Sequence, residues 1–224
     1  MFEKIKERFK KAIEDAKKKQ ILSQEQIARS FDDDVAIKTQ WTPLKQGGAN
    51  FKTHNLIKVS SSLLKYQLSI GAKVFLGIFA VVGLVALIAG IYQVVGKGIS
   101  NGWIIVFFGI IFLIIPIFFF KIMGKVTILD RSIGMMYKGN KPPKLSGMQG
   151  DGKLVYLNDV HAIQIIKEYI KTDKNSYYSY EINFIMKDAT RVNVIDYGNY
   201  KQIKIDAIEI ALFIGKPLWD ATQF

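Results

Sequence analysis

VFLGIFAVVGLVALIAGIY (residues 74–92) and WIIVFFGIIFLIIPIFFF (residues 103–120) are the two stretches that decide the fold. Neither contains a charged side chain. At about 1.5 Å per residue each helix reaches about 27–28 Å, close to the ~30 Å hydrocarbon core of a bilayer. The short turn Lys97–Gly102 makes them antiparallel neighbours. The reading is an integral membrane protein built on a transmembrane helical hairpin. Intramembrane charges mark ion and proton paths, so their absence argues against a pump or transporter.

Charge sets the expected orientation. Residues 1–73 carry fifteen Lys/Arg, the turn one, and residues 121–224 fifteen. Lys65 and Lys73 precede the first span, and Lys121 and Lys125 follow the second. Basic residues near span ends stay cytoplasmic, so the expected location is the inner membrane, multi-pass, with both termini cytoplasmic. Tyr92 and Trp103 suit the headgroup level at the turn. The N-terminus is charged and the first apolar run starts only at Val74, so no cleavable signal is expected and the spans direct insertion.

The first span is rich in small residues, including Gly83, Ala86 and Gly90. Ala86 and Gly90 have the small-xxx-small spacing that permits close backbone approach. The second offers Gly109 among bulky phenylalanines. These residues are expected to pack the hairpin internally; a homodimer interface is the alternative. Pro116 removes the hydrogen bond to the Phe112 carbonyl and is expected to kink the second helix.

The whole chain has 224 residues, a net charge of +12, two histidines and no cysteine. Disulfides and thiolate metal sites are excluded. For a chain with spans, the anionic leaflet is the simplest partner of so much positive charge. Phe2, Ile5, Phe9 and Ile13 follow helical spacing at the N-terminus. Lys4, Lys6, Arg8, Lys10, Lys11, Lys17, Lys18 and Lys19 surround that arc. An apolar stripe with basic flanks suits a helix lying on anionic lipid. Docking on this protein or on a separate partner are the other two readings. Ser23 and Gln26 resemble a capping box, which places a second short helix up to about Arg29.

Alternation of apolar and polar residues dominates elsewhere. Strands are expected at residues 50–59 and 63–69, before the spans, and at 126–128, 133–138, 160–170, 180–186 and 190–196 after them. Asp188–Ala189 is a tight turn. A helix covers Tyr200 to Ile214, ended by Gly215 and Pro217. The expected class is an α+β membrane protein. Residues 1–49 form an N-terminal basic helix and linker, 50–71 contribute strands, 72–122 are the hairpin, and 123–224 complete one cytoplasmic antiparallel β-barrel or sheet domain of pleckstrin-homology-like (PH-like) order with its C-terminal helix.

Two spans joined to a β-rich domain, a strand entered through Asn158-Asp159-Val160, and the ending Ala211-Leu212-Phe213-Ile214-Gly215-Lys216-Pro217-Leu218 resemble bacterial two-span proteins with a PH-like domain. The layout is similar to the photosystem assembly factor family of cyanobacteria and plastids, over about residues 70–218. The segment Trp41-Thr42-Pro43-Leu44 with Gly47-Gly48-Ala49-Asn50-Phe51-Lys52-Thr53-His54 is similar to other bacterial membrane proteins. The resemblance implies a non-enzymatic scaffold or assembly role and carries over no catalytic residue.

Nothing in the sequence assembles a reaction centre. Gly147, Gly150 and Gly152 make a glycine-rich loop without the following helix a phosphate cradle needs. His54 and His161 lack the spacing of a metal pair, and His161 is read as structural. Asp32-Asp33-Asp34 reads as a solvated loop, and Ser60–Ser62 as a strand connection. Tyr177, Tyr178 and Tyr180 near Lys171 and Lys174 read as strand-edge aromatics or as contacts for a headgroup or partner. No nucleic-acid motif supports the basic charge. The expectation is a scaffold that holds a protein partner, a second copy of the chain or anionic lipid at the membrane face, without cofactor or metal. A membrane enzyme acting on lipid and a toxin-neutralising or pore-forming protein are the alternatives.

Overall fold

The computed structural model describes Lys6 and residues 22–97, 102–124, 126–139, 154–172 and 175–224. It divides into two units, one of residues 52–154 and one of residues 1–51 with 155–224.

In the unit of residues 52–154, strands β1 (His54–Ser60) and β2 (Leu63–Leu68) form a hairpin around Ser60–Ser62. Ser69 then caps helix α3 (Ile70–Ile91), its hydroxyl accepting from the Ala72 amide at 3.1 Å. A π-helical turn, Tyr92–Gly96, extends it. Helix α4 (Gly102–Met123) returns and continues through Pro116 as helix. β3 (Thr127–Asp130) and β4 (Met135–Lys138) follow. β2 pairs antiparallel with β3, so strands on either side of the helical pair are neighbours in one sheet. Leu64, Leu129 and Met136 stand opposite one another and are fully buried. Val126, Ile128, Met135 and Tyr137 form a second cluster with Leu63 and Leu154. The sheet order is β1-β2-β3-β4-β5, the short β5 (Leu154–Tyr156) lying where the chain passes between units.

In the other unit, β6 (Val160–Lys171), β7 (Ser176–Met186), β8 (Arg191–Tyr197) and β9 (Leu218–Asp220) form a sheet in the order β8-β7-β6-β9. The β7–β8 turn places Ala189 at φ 65°, and β9 pairs parallel to β6. One face is covered by α5 (Tyr200–Ile214), whose Ile203, Ala207 and Ile210 are fully buried. Asn199 caps its start, and Gly215 ends it at φ 66°. The other face carries helix α1 (residues 22–29), helix α2 (Asp34–Lys38) and the segment after them. There Ile27, Ala28, Ala36 and Trp41 pack with Ala162, Ile166, Ile185 and Trp219. Because α1 is already helical at residue 22, Ser23 lies inside it rather than capping it.

The architecture is mixed α+β, with two long apolar helices and mainly antiparallel sheets. The expected single barrel is corrected: among the described residues there are two sheets, and neither closes. Closure needs the first and last strands of one sheet to hydrogen-bond. Here β1 and β5 end one sheet, while β8 and β9 end the other.

Candidate functional site at the root of the helical pair

The glycines of α3 and α4 form a backbone-to-backbone contact. A Cβ built on Gly83 would lie 2.8 Å from the Phe112 carbonyl carbon and 3.0 Å from the Gly109 oxygen. A Cβ on Gly109 would lie 2.6 Å from the Leu87 nitrogen. Gly90 and Gly102 repeat the relationship seven residues along each helix, each 3.1 Å from the other's oxygen by the same construction. Leu76 and Pro116, buried at the same seven-residue spacing, continue the seam. Phe79 stacks on Phe112 at 5.8 Å between centroids. Of the residues singled out for packing, Gly83, Gly90, Gly109 and Pro116 are buried between these helices, and Ala86 is half-buried.

Most of the remaining side chains of both helices are apolar and exposed. Val85, Ile88, Phe107, Ile114 and Phe118 are exposed. Both helices have the length and composition to cross a membrane.

Residues 52–54 fasten both helices where they leave the sheet. The Ser69 hydroxyl donates to the Lys52 carbonyl at 3.1 Å, and the Ser69 amide to the Thr53 carbonyl at 2.9 Å. His54 Nε2 lies 2.9 Å from the Met123 carbonyl, at the last turn of α4, and its Nδ1 lies 2.8 Å from Thr53 Oγ1. The carbonyl can only accept, so Nε2 carries a proton. Terminal helix carbonyls lack intrahelical donors, and the imidazole supplies one. Thus one short segment caps the start of α3 through Ser69 and the end of α4 through His54.

The unit that contains α5 has its own polar construction. Glu181, only 3% exposed, accepts from the Leu44 amide at 2.7 Å, the Lys45 amide at 3.2 Å and Asn183 Nδ2 at 2.7 Å. Gln164 Nε2 donates to the Gln40 carbonyl at 3.0 Å, and Arg191 to the Thr42 carbonyl. Ser179 donates to the Ala49 carbonyl and the Tyr177 hydroxyl to the Gly48 carbonyl. A Cβ on Gly48 would collide with Ser179. Residues 40–50 therefore form a strap held by side chains of the sheet.

Asp33 is the cap of α2 rather than part of a solvated loop. Oδ1 accepts from the Val35 amide at 2.7 Å, and Oδ2 lies 2.8 Å from His161 Nε2. Burial alone would raise its pKa; the bonds from His161, Val35 and Ala36 outweigh that and hold it below the ordinary carboxylate value. His161 also packs against Trp219, at 5.7 Å. Among the described residues, no three His, Asp or Glu side chains converge as metal ligands.

The singled-out tyrosines separate by alternation. Tyr177 faces the strap. Tyr178 and Tyr180 lie on the α5 face, with Tyr169 5.2 Å from Tyr178 and Tyr200 5.2 Å from Tyr180. Lys167 Nζ sits 5.8 Å from the centre of the Tyr178 ring and donates to the Thr222 carbonyl. Lys204 sits 5.8 Å from the Tyr200 ring and 3.1 Å from Asp220. Lys171 is exposed nearby on β6.

Lys6 is helical and exposed. Phe2, Lys4, Ile5, Arg8, Phe9, Lys10, Lys11, Ile13, Lys17, Lys18 and Lys19 lie outside the described residues, as do Lys174 and the glycine-rich loop. Sequence reasoning missed the cap formed by His54 and the anchor at Glu181. Their one signal was the odd composition of residues 41–54, with Gly47-Gly48 and no periodicity. The chain matches no family model, no curated protein and no solved structure.

Proposed function

We propose that this chain is a non-enzymatic membrane scaffold of the inner membrane. Its hairpin crosses the bilayer, both termini are cytoplasmic, and the β-rich units hold a protein partner or anionic lipid at the membrane face. The observation that carries this reading is the distribution of polarity on α3 and α4. The helices meet through glycine backbone and leave their bulky apolar side chains outward, an arrangement that lipid tails satisfy and water does not.

The capped root supports an anchoring role. The chain enters and leaves the hairpin through residues tied to the same short segment, so the hairpin is held as a unit of the fold rather than as a loose tail. Basic residues at both ends of the hairpin, and the N-terminal apolar and basic pattern, favour anionic lipid. Purification in mild detergent tests the scaffold role. A stable co-purifying partner, or retained anionic lipid, is expected; a lone chain with neither removes the holding role.

A further inference from the structure

α5 has a second apolar stripe, facing away from the sheet. Ile205, Ile208 and Leu212 are 56%, 42% and 79% exposed. Lys201 precedes them on the same helical side, and Lys216 follows just past the C-cap. At about 100° per residue, the four helical positions Lys201, Ile205, Ile208 and Leu212 fall within an arc of about 60°. Ile203, Ala207 and Ile210, on the opposite side, already serve the core. The outer isoleucines and leucine thus leave much of their apolar surface uncovered.

We propose that this outer face of α5 is a membrane-surface contact, with Ile205, Ile208 and Leu212 entering the headgroup boundary of an anionic bilayer and Lys201 and Lys216 meeting phosphate. It rests on the reading of the hairpin as membrane-spanning. Two features commit the face to lipid. Lys201 at the start of the stripe and Lys216 just beyond the end of its helix match an anionic surface, and the long stems of lysine let the charge reach headgroups while the stripe is inserted. The unit is also covalently joined to an apolar hairpin, so a bilayer is held at high effective concentration next to it. The tyrosines on the same sheet face, Tyr169 and Tyr178, are amphipathic rings of the kind that favour the headgroup level.

The absence of native cysteine makes the test direct. The full chain is reconstituted in phosphatidylcholine vesicles with and without phosphatidylglycerol, carrying one fluorescent label at Leu212→Cys, Val85→Cys or Lys187→Cys. Quenching is read with nitroxide lipids and with aqueous iodide. The label at 212 is expected to lose most of its emission to shallow nitroxide in phosphatidylglycerol vesicles, less in pure phosphatidylcholine, and less again in high salt. The label at 187, in the exposed β7–β8 turn, should respond to iodide alone. A label at 212 that behaves like that at 187, while the label at 85 is quenched from deep in the bilayer, overturns the α5 contact and leaves the hairpin reading standing. A label at 212 shielded from both quenchers overturns it in favour of a protein contact. Failure of deep quenching at 85 overturns both.

Discussion

Gly83 and Gly109 are each other's missing side chains: a Cβ on either would stand 3.0 Å from the other's carbonyl oxygen. The pair fixes how closely α3 and α4 approach. It also makes the glycine requirement a matter of interhelical distance, since both residues are in ordinary helix.

Gly83→Leu is therefore expected to destabilise the hairpin by about 1–3 kcal/mol through overpacking. Gly77→Leu is the control, because a Cβ there meets nothing within 4 Å. Detergent-denaturant titration followed by circular dichroism reads both. Equal midpoints for the two variants would mean that the helices do not meet along this seam.

Ser69→Ala removes the cap of α3 and is expected to cost about 1 kcal/mol. His54→Ala leaves the Met123 carbonyl without its donor, at about 1–3 kcal/mol if the site stays dry. Since both caps meet in residues 52–54, the double variant should lose more or less than the sum of the single ones. A thermal or denaturant double-mutant cycle on the full chain measures this; strict additivity would separate the two caps.

Glu181→Ala leaves the Leu44 and Lys45 amides without their acceptor and the Asn183 side chain with only Gln164 to donate to. A loss of about 1.5–3 kcal/mol is expected, because hydrogen bonds to charged groups are the stronger ones and these are partly buried. Hydrogen exchange at Leu44 and Lys45 should rise before exchange in β6 does. Unchanged protection of those amides would contradict the strap.

The sequence was most readable where structure is local. The C-terminal helix has the boundaries its apolar spacing, Gly215 and Pro217 imply, and the hairpin of apolar helices follows from composition alone. Even there α3 begins at Ile70, four residues before the uncharged run, because Ser69 caps the helix and Lys73 is tolerated in its first turn. Alternation puts Glu181 and Asn183 on the polar face of β7 but does not tell what covers that face. They share a polar face that looks solvated, yet they are 3% and 0% exposed because residues 22–50 cover it. That segment has no period to read; its amides find partners on strands more than a hundred residues away. β9 escaped for the same reason, being three residues whose only warrant is parallel pairing with β6. The two-sheet division is likewise a non-local choice among edges, which strand patterns do not record.

Acid should weaken the unit that contains α5. Burial would raise the Asp220 carboxyl, but hydrogen bonds from Thr222 and the Lys204 ammonium hold it below its ordinary value, as His161 and the α2 amides do for Asp33. A carboxyl depressed in the folded state binds its proton more readily when unfolded. Its stabilisation is therefore complete above the unfolded value, about 4, and is lost as pH falls through the folded one. Thermal melts of the full chain should show a smaller acid-induced fall in Asp220→Asn than in the natural sequence. An identical fall would exclude Asp220 as a contributor.

We propose that α3 and α4 cross a bilayer with both termini on the cytoplasmic side. Single cysteines at Ser100→Cys in the turn and Lys187→Cys in the β7–β8 turn can be challenged with a membrane-impermeant maleimide on whole cells, before and after permeabilisation. Labelling is expected at 100 once the outer membrane alone is opened, and at 187 only after the inner membrane is also breached. Labelling of both positions at the same step, or release of the protein by alkaline carbonate, would contradict it.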